Sequence, residues 1–282
     1  MKNILKAVFT SLLLILMLNV SLFAGEEGDG EGVNSTDMGL TIYGAAGYGQ
    51  SLFGVIENSD DRGDLGIGPG GSFGFGALFN FSVLAVGVNF TQAYYNDTEF
   101  KEGGQTVKTD GEGYFRTVEI LAGFKLFTEE DDMGYTLFYG GYKQWKVDRS
   151  VDSATVDGVT APIYKTDYVV EGDGWIAGYR DFSTFDVSAF SIAFQTGLWY
   201  QHLPVSSIKS NGVKLSSKED TSAGLGFEIG LGAAFEDLGL SVMLSAEIDI
   251  TASILKGSSG EDDIVGAGYA QYFLTVSKDF SI

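Results

Sequence analysis

The groups in this chain that could do acid–base or nucleophilic chemistry are few, and their spacing restricts them further. There is no cysteine and a single histidine, His202. A thiol nucleophile, a Cys-ligated zinc or iron–sulfur site and a disulfide framework are therefore excluded. Any Ser/His/Asp arrangement would have His202 as its only imidazole base. That residue follows Trp199 and Tyr200 and precedes Pro204, a setting that fits an interfacial side chain better than a general base. The string Gly66-Ile67-Gly68-Pro69-Gly70-Gly71 satisfies GxGxxG, but a dinucleotide fingerprint must leave a strand and open a helix. Here it leads into the alternating Phe73 and Phe75, so it reads as the end of a surface loop before a strand.

Carboxylates dominate the remaining polar groups, with 38 Asp and Glu against 17 Lys and Arg, a formal charge of -21 and a pI near 4.2. Such a chain repels nucleic acid and anionic headgroups, whose contacts need clustered Lys and Arg. No nucleic-acid partner is expected. The acidic clusters 58–61, 96–99 and 261–263 lack the Asp-x-Asp-x-Asp-Gly spacing of a calcium loop, and neither metal nor cofactor is expected. Arg62-Gly63-Asp64, in an acidic stretch with Asp60 and Asp61, is the tripeptide by which many adhesive proteins engage integrins.

The elements that position these groups follow from hydropathy and period. Lys2 and Lys6 precede an apolar run over 7–24, followed at once by Gly25-Glu26-Glu27, the pattern of a secretory signal peptide over 1–24. Residues 25–37 form an acidic, Gly-rich leader expected to be disordered. From Met38 onward the chain alternates. Leu240, Val242, Leu244, Ala246, Ile248, Ile250, Ala252 and Ile254 take one parity, and Ser241, Met243, Ser245, Glu247, Asp249, Thr251 and Ser253 the other. Successive strand residues point to opposite faces, so this segment has one apolar and one polar face.

The same period predicts ten strands, over 38–50, 71–79, 81–95, 114–127, 134–149, 173–183, 187–203, 222–235, 240–255 and 264–280. Short connections alternate with long ones over 51–70, 96–113, 150–172 and 204–221, and Pro69, Pro162 and Pro204 fall in the long set. Several strands reach the ~9–11 residues that cross hydrocarbon at a tilt. An even strand number with short turns on one side and long loops on the other matches a bacterial outer-membrane barrel. Aromatics also fall at strand ends, as interfacial girdles require. Phe79, Phe127, Phe182, Phe235 and Phe280 mark one rim, and Tyr48, Tyr94, Tyr114, Trp145, Trp175, Trp199, Tyr200 and Tyr269 the other.

With these features, residues 38–282 resemble the small opacity-like and surface-protein barrels of bacterial outer membranes. Tyr272, Leu274, Val276 and the late aromatic Phe280 are similar to the C-terminal strand that the barrel-assembly machinery recognises in that family, although Ser281 and Ile282 follow. The resemblance implies an all-β, up-and-down antiparallel transmembrane barrel, in contact with outer-membrane lipid and with both termini periplasmic. Omptin proteases and lipid A deacylases are also barrels. An omptin would carry Asp-x-His where this chain has Tyr200 before His202, and a deacylase His-x-Ser where it has Pro204, so no enzyme is expected.

Charges facing lipid near the midplane are destabilising, by about 2–4 kcal/mol for a Lys or Arg and less for an Asp or Glu, so Glu119, Lys125, Glu228, Glu247 and Asp249 should line the lumen. Lys143 and Arg180 are candidate partners from strands of less certain phase. Three functional readings follow. One is a non-enzymatic anchor for long acidic surface loops; the second is a narrow cation-preferring pore; the third is an adhesin using Arg62, Gly63 and Asp64 toward a host or matrix protein.

Overall fold

The computed structural model describes residues 38–57, 63–95, 98–102, 105–127, 134–156, 159–187, 190–215, 221–256 and 262–281. The signal peptide and leader expected over 1–37 lie outside them. The described residues are all-β apart from one 3-10 turn, Glu236–Leu238. Fourteen strands follow one another as β1 (Met38–Glu57), β2 (Gly63–Phe81), β3 (Leu84–Tyr95), β4 (Thr98–Glu102), β5 (Gln105–Asp110), β6 (Gly113–Phe127) and β7 (Tyr135–Val156), then β8 (Val159–Asp186), β9 (Ser191–His202), β10 (Val205–Ser210), β11 (Val213–Leu215), β12 (Thr221–Phe235), β13 (Leu240–Lys256) and β14 (Asp262–Ser281). Ten of them close a ring in the order β8, β9, β12, β13, β14, β1, β2, β3, β6, β7 and back to β8, every pairing antiparallel.

Alternation decides which face is which. On β12, Leu225, Phe227, Ile229 and Leu231 are exposed on the outside, while Ser222, Gly224, Gly226, Glu228 and Gly230 are buried within. β13 pairs in register with it, Gly226 opposite Asp249 and Glu228 opposite Glu247. The outside is thus apolar and the interior mixed, the reverse of a water-soluble sheet, because hydrocarbon tolerates Leu and Ile but not carboxylates. Gly226 is required by packing: a Cβ there would run into the indole of Trp199, which fills the space.

At one end the ring strands turn back tightly. Ser82 adopts φ 48° in the β2–β3 turn, and Gly239 φ 54° before β13. The start of β1 and the end of β14 meet at this rim, where Gly39 pairs with Ser281. At the other end the strands run on well past the ring. β1 and β2 stay paired to Ile56 and Gly63, and β7 and β8 to Val156 and Val159. The β4–β5 hairpin is added beside β7, and the β10–β11 hairpin beside β8. Asn211 and Gly212 close the latter with positive φ, the two-residue turn that matches strand twist.

Two expectations need correction here. Much of 51–70, 96–113, 150–172 and 204–221, read as loop, is strand. Gly66 to Gly71 lies inside β2, and Pro69 and Pro162 pair opposite Gln50 and Ser153. Outside the apolar band both faces of a hairpin meet water, so no alternation marks its strands. The prolines are tolerated because β2 pairs continuously with β3 only from Ser72, and because Pro162 borders the register shift between Val151 and Ser153. Secondly, Trp145, Trp199, Tyr269 and Phe182 are buried inside the barrel rather than in the girdles. Of the aromatics expected at the hairpin-side rim, Tyr48, Tyr94, Trp175 and Tyr200 are exposed on the outside.

Candidate lumen site

The interior divides into three levels. Toward the hairpin end, Phe115, Trp145, Val147, Val170, Leu203 and Val205 pack with Tyr269 into an apolar plug. Their strands bring them together because each takes the inward parity. Trp145 donates its indole N–H to the Leu203 carbonyl at 3.3 Å, which satisfies the one polar atom of that side chain.

Below the plug lies a belt of charge. Lys143 is fully buried on β7 and forms ion pairs with Glu119 of β6, at 3.0 Å, and with Asp249 of β13. Gln201 Nε2 donates to Asp249 Oδ1 at 2.6 Å, and Asn89 Nδ2 to Glu119 Oε2 at 3.0 Å. Tyr43 in turn donates to Asn89 Oδ1 at 2.6 Å. A buried ammonium is tolerated only with this degree of pairing and hydrogen bonding. On the next walls, Arg180 of β8 lies 3.0 Å from Glu228 of β12. Glu247 accepts a hydrogen bond from the Tyr269 hydroxyl.

The lowest level is a cavity of about 120 Å³ reaching from the belt, at Glu228 and Glu247, to Thr41, Leu78 and Asp279 near the tight-turn rim. Lys125 sits near that rim on β6, buried, with its ammonium 4.2 Å from the Tyr135 ring centroid. The structure therefore gathers Glu119, Glu228, Glu247 and Asp249 in one belt with Lys143 and Arg180, and leaves Lys125 at another level.

The other singled-out residues lie elsewhere. His202 is on the outer face at the hairpin end of β9, its ring 5.9 Å from that of Trp175 and its Nδ1 2.6 Å from the Ser222 carbonyl oxygen. Tyr272, Leu274, Val276 and Phe280 are exposed along the outside of β14, the strand that closes the ring against β1. Arg62 lies outside the described residues, and Gly63 and Asp64 begin β2. Sequence reasoning missed Tyr43, Asn89 and Gln201. Their inward parity was available as a signal, but an uncharged polar residue is tolerated at a barrel interface as well as in its lumen, so residue type alone did not flag them.

No protein-family model matches the chain, and no curated protein sequence does. Among solved structures it is similar to the outer-membrane protease OmpT of Escherichia coli, at a TM-score of 0.53 and 7% identity over 90% of this chain and 99% of that one. Looser likenesses are the translocator domain of the autotransporter NalP from Neisseria meningitidis, with TM-score 0.34, 15% identity and coverage of 98% and 97%, and the attachment invasion protein Ail of Yersinia pestis, with TM-score 0.29, 12% identity and coverage of 85% and 99%. The fold is that of a bacterial outer-membrane β-barrel, closed by ten strands.

Proposed function

We propose that this chain is a non-enzymatic outer-membrane protein whose barrel is a sealed anchor and whose extended hairpins carry surface interaction. The observation that supports this reading best is the double closure of the lumen. An apolar plug sits over a belt in which Lys143 links two separated walls to one another. The hairpins, in contrast, are built out as paired strands beyond the ring, a more ordered platform than a loop.

On this reading the tight-turn rim and both termini are periplasmic, as in bacterial barrels generally. Lipid covers the outside, and the barrel-assembly machinery reads the β14 strip from Tyr272 to Phe280. The absence of an enzyme role is supported by His202, whose Nδ1 is engaged by a backbone carbonyl on the outer face instead of by a carboxylate.

Because the chain has no cysteine, a single introduced one reports its side of the membrane. Lys209→Cys in the β10 hairpin should react with a membrane-impermeant maleimide on intact cells, and Ser82→Cys in the β2–β3 turn only after lysis. The reverse pattern overturns the orientation. Loss of cell attachment on Asp64→Ala would move the reading to an integrin-type adhesin.

A further inference from the structure

On β12 the outward residues from Leu225 to Leu231 are all apolar, but on β8 the outer band carries a charge. Arg180 and Phe182 point into the lumen and line its cavity, so Asp181 between them takes the outward face. In register with it stand Thr136 on β7 and Thr196 on β9. Their sequence neighbours Tyr135, Leu137 and Gln195 likewise line the cavity, which turns both threonines outward. Thr136, Asp181 and Thr196 therefore form a polar row across the outside of three adjacent strands, with Ser183 on the same face of β8.

The carboxylate in this row is oriented but not neutralised. Thr136 donates to its Oδ1 at 2.6 Å and Ser183 to its Oδ2 at 2.9 Å. An ionised carboxylate offers about four acceptor positions, so part of its capacity stays open toward the outside. No Lys or Arg among the described residues pairs with it. Arg180 is turned inward to Glu228, and Lys278, outward near the same rim, lies on β14 and donates to the Leu238 carbonyl. A charge on a lipid-facing strand is destabilising by an amount that grows with depth, and such a residue marks a site whose partner has to be found.

The surroundings fit an amphiphile. Thr136 is the second residue of β7, so the row opens at the tight-turn rim, where headgroups lie. Phe185 and Phe194, both exposed and packed edge-to-face, flank it on the rim side as interfacial aromatics do. Toward the middle of the band the next outward row is Phe138, Tyr179 and Leu198, all exposed. A molecule with a cation at one end and hydrocarbon behind it meets both surfaces. A primary ammonium also donates hydrogen bonds to the open carboxylate positions, which a quaternary one cannot. We propose that Asp181, with Thr136, Ser183 and Thr196, holds the ammonium headgroup of an aminophospholipid whose acyl chains lie over Phe138, Tyr179 and Leu198. The proposal rests on lipid covering the outside of the barrel, a reading that arginine substitutions in the outer band test separately.

The test is native mass spectrometry of the detergent-folded barrel after incubation with equal amounts of phosphatidylethanolamine, phosphatidylcholine and phosphatidylglycerol. Phosphatidylethanolamine should be retained about tenfold more than either other lipid, the scale of a charge-assisted hydrogen bond. Asp181→Asn should erase that preference and still fold, since it takes a charge off the lipid face; heat-modifiable gel mobility checks folding. Asp237→Asn, in the 3-10 turn at the same rim, removes a carboxylate outside the row and should keep the preference. Equal retention of the three lipids by the wild type, an unchanged preference in Asp181→Asn, or an equal loss in Asp237→Asn would overturn the proposal. So would a lipid-free dimer that Asp181→Asn converts to monomer, which would assign this face to a second copy of the chain.

Discussion

Lys143 on β7 forms an ion pair with Asp249 on β13, although β8, β9 and β12 separate their strands around the ring. The side chain therefore crosses the lumen rather than running along the wall. With Glu119 as its second partner, it ties three strands together at the level where an open channel would need water.

Removing that ammonium leaves two buried carboxylates without their cation. Lys143→Met is expected to destabilise the barrel by about 3–5 kcal/mol, the cost of breaking a buried pair from one side. The double variant Lys143→Met with Asp249→Asn should recover part of that loss, since it removes one of the stranded charges. Urea unfolding followed by gel mobility in the presence of lipid measures both.

The packing of Trp199 on Gly226 gives a second expectation. Gly226→Ala places a methyl group inside the indole and should cost about 1–3 kcal/mol through overpacking. Gly44→Ala, where an added Cβ meets nothing within 4 Å, should stay within about 0.5 kcal/mol of wild type. Equal effects at the two sites would contradict the inward placement of Trp199.

The outer band can be probed by depth. Ile248→Arg, mid-strand on the outside of β13, should cost about 2–4 kcal/mol, while Thr221→Arg near the hairpin-side rim should cost about 0–1 kcal/mol. Similar penalties at both positions would argue against a bilayer around this face.

How much of this was legible in the sequence varied by segment. On β13 the apolar and polar sets separate cleanly by parity, and the structure puts the apolar set outside and Glu247 and Asp249 within. The ring strands were legible because hydrocarbon on one side enforces a two-residue period. The hairpins β4–β5 and β10–β11 carry no such signature, since water bathes both faces. Trp145, Trp199 and Tyr269 misled because a large ring serves a girdle and a lumen core equally well, and only the strand's phase separates the two. The pairing of Lys143 with Asp249 depends on the closure of the ring, which no local pattern encodes.

The strip on β14 yields a fourth expectation. If the β14 strip is the assembly signal proposed above, Phe280→Ala should lower the amount of folded barrel in cells several-fold while leaving refolding into detergent in vitro little changed, because the side chain is exposed in the folded barrel. Quantitative blots of heat-modifiable barrel, in cells and after refolding, separate these effects.

The closed lumen is the claim on which the anchor reading rests, and single-channel recording in planar bilayers tests it most directly. The wild-type barrel should give no discrete conductance steps, whereas Lys143→Ala should admit transient openings as the belt loses its crossing side chain. Regular cation-selective steps from the wild-type protein, abolished by Glu247→Gln and Asp249→Asn, would contradict the account and make the barrel a pore.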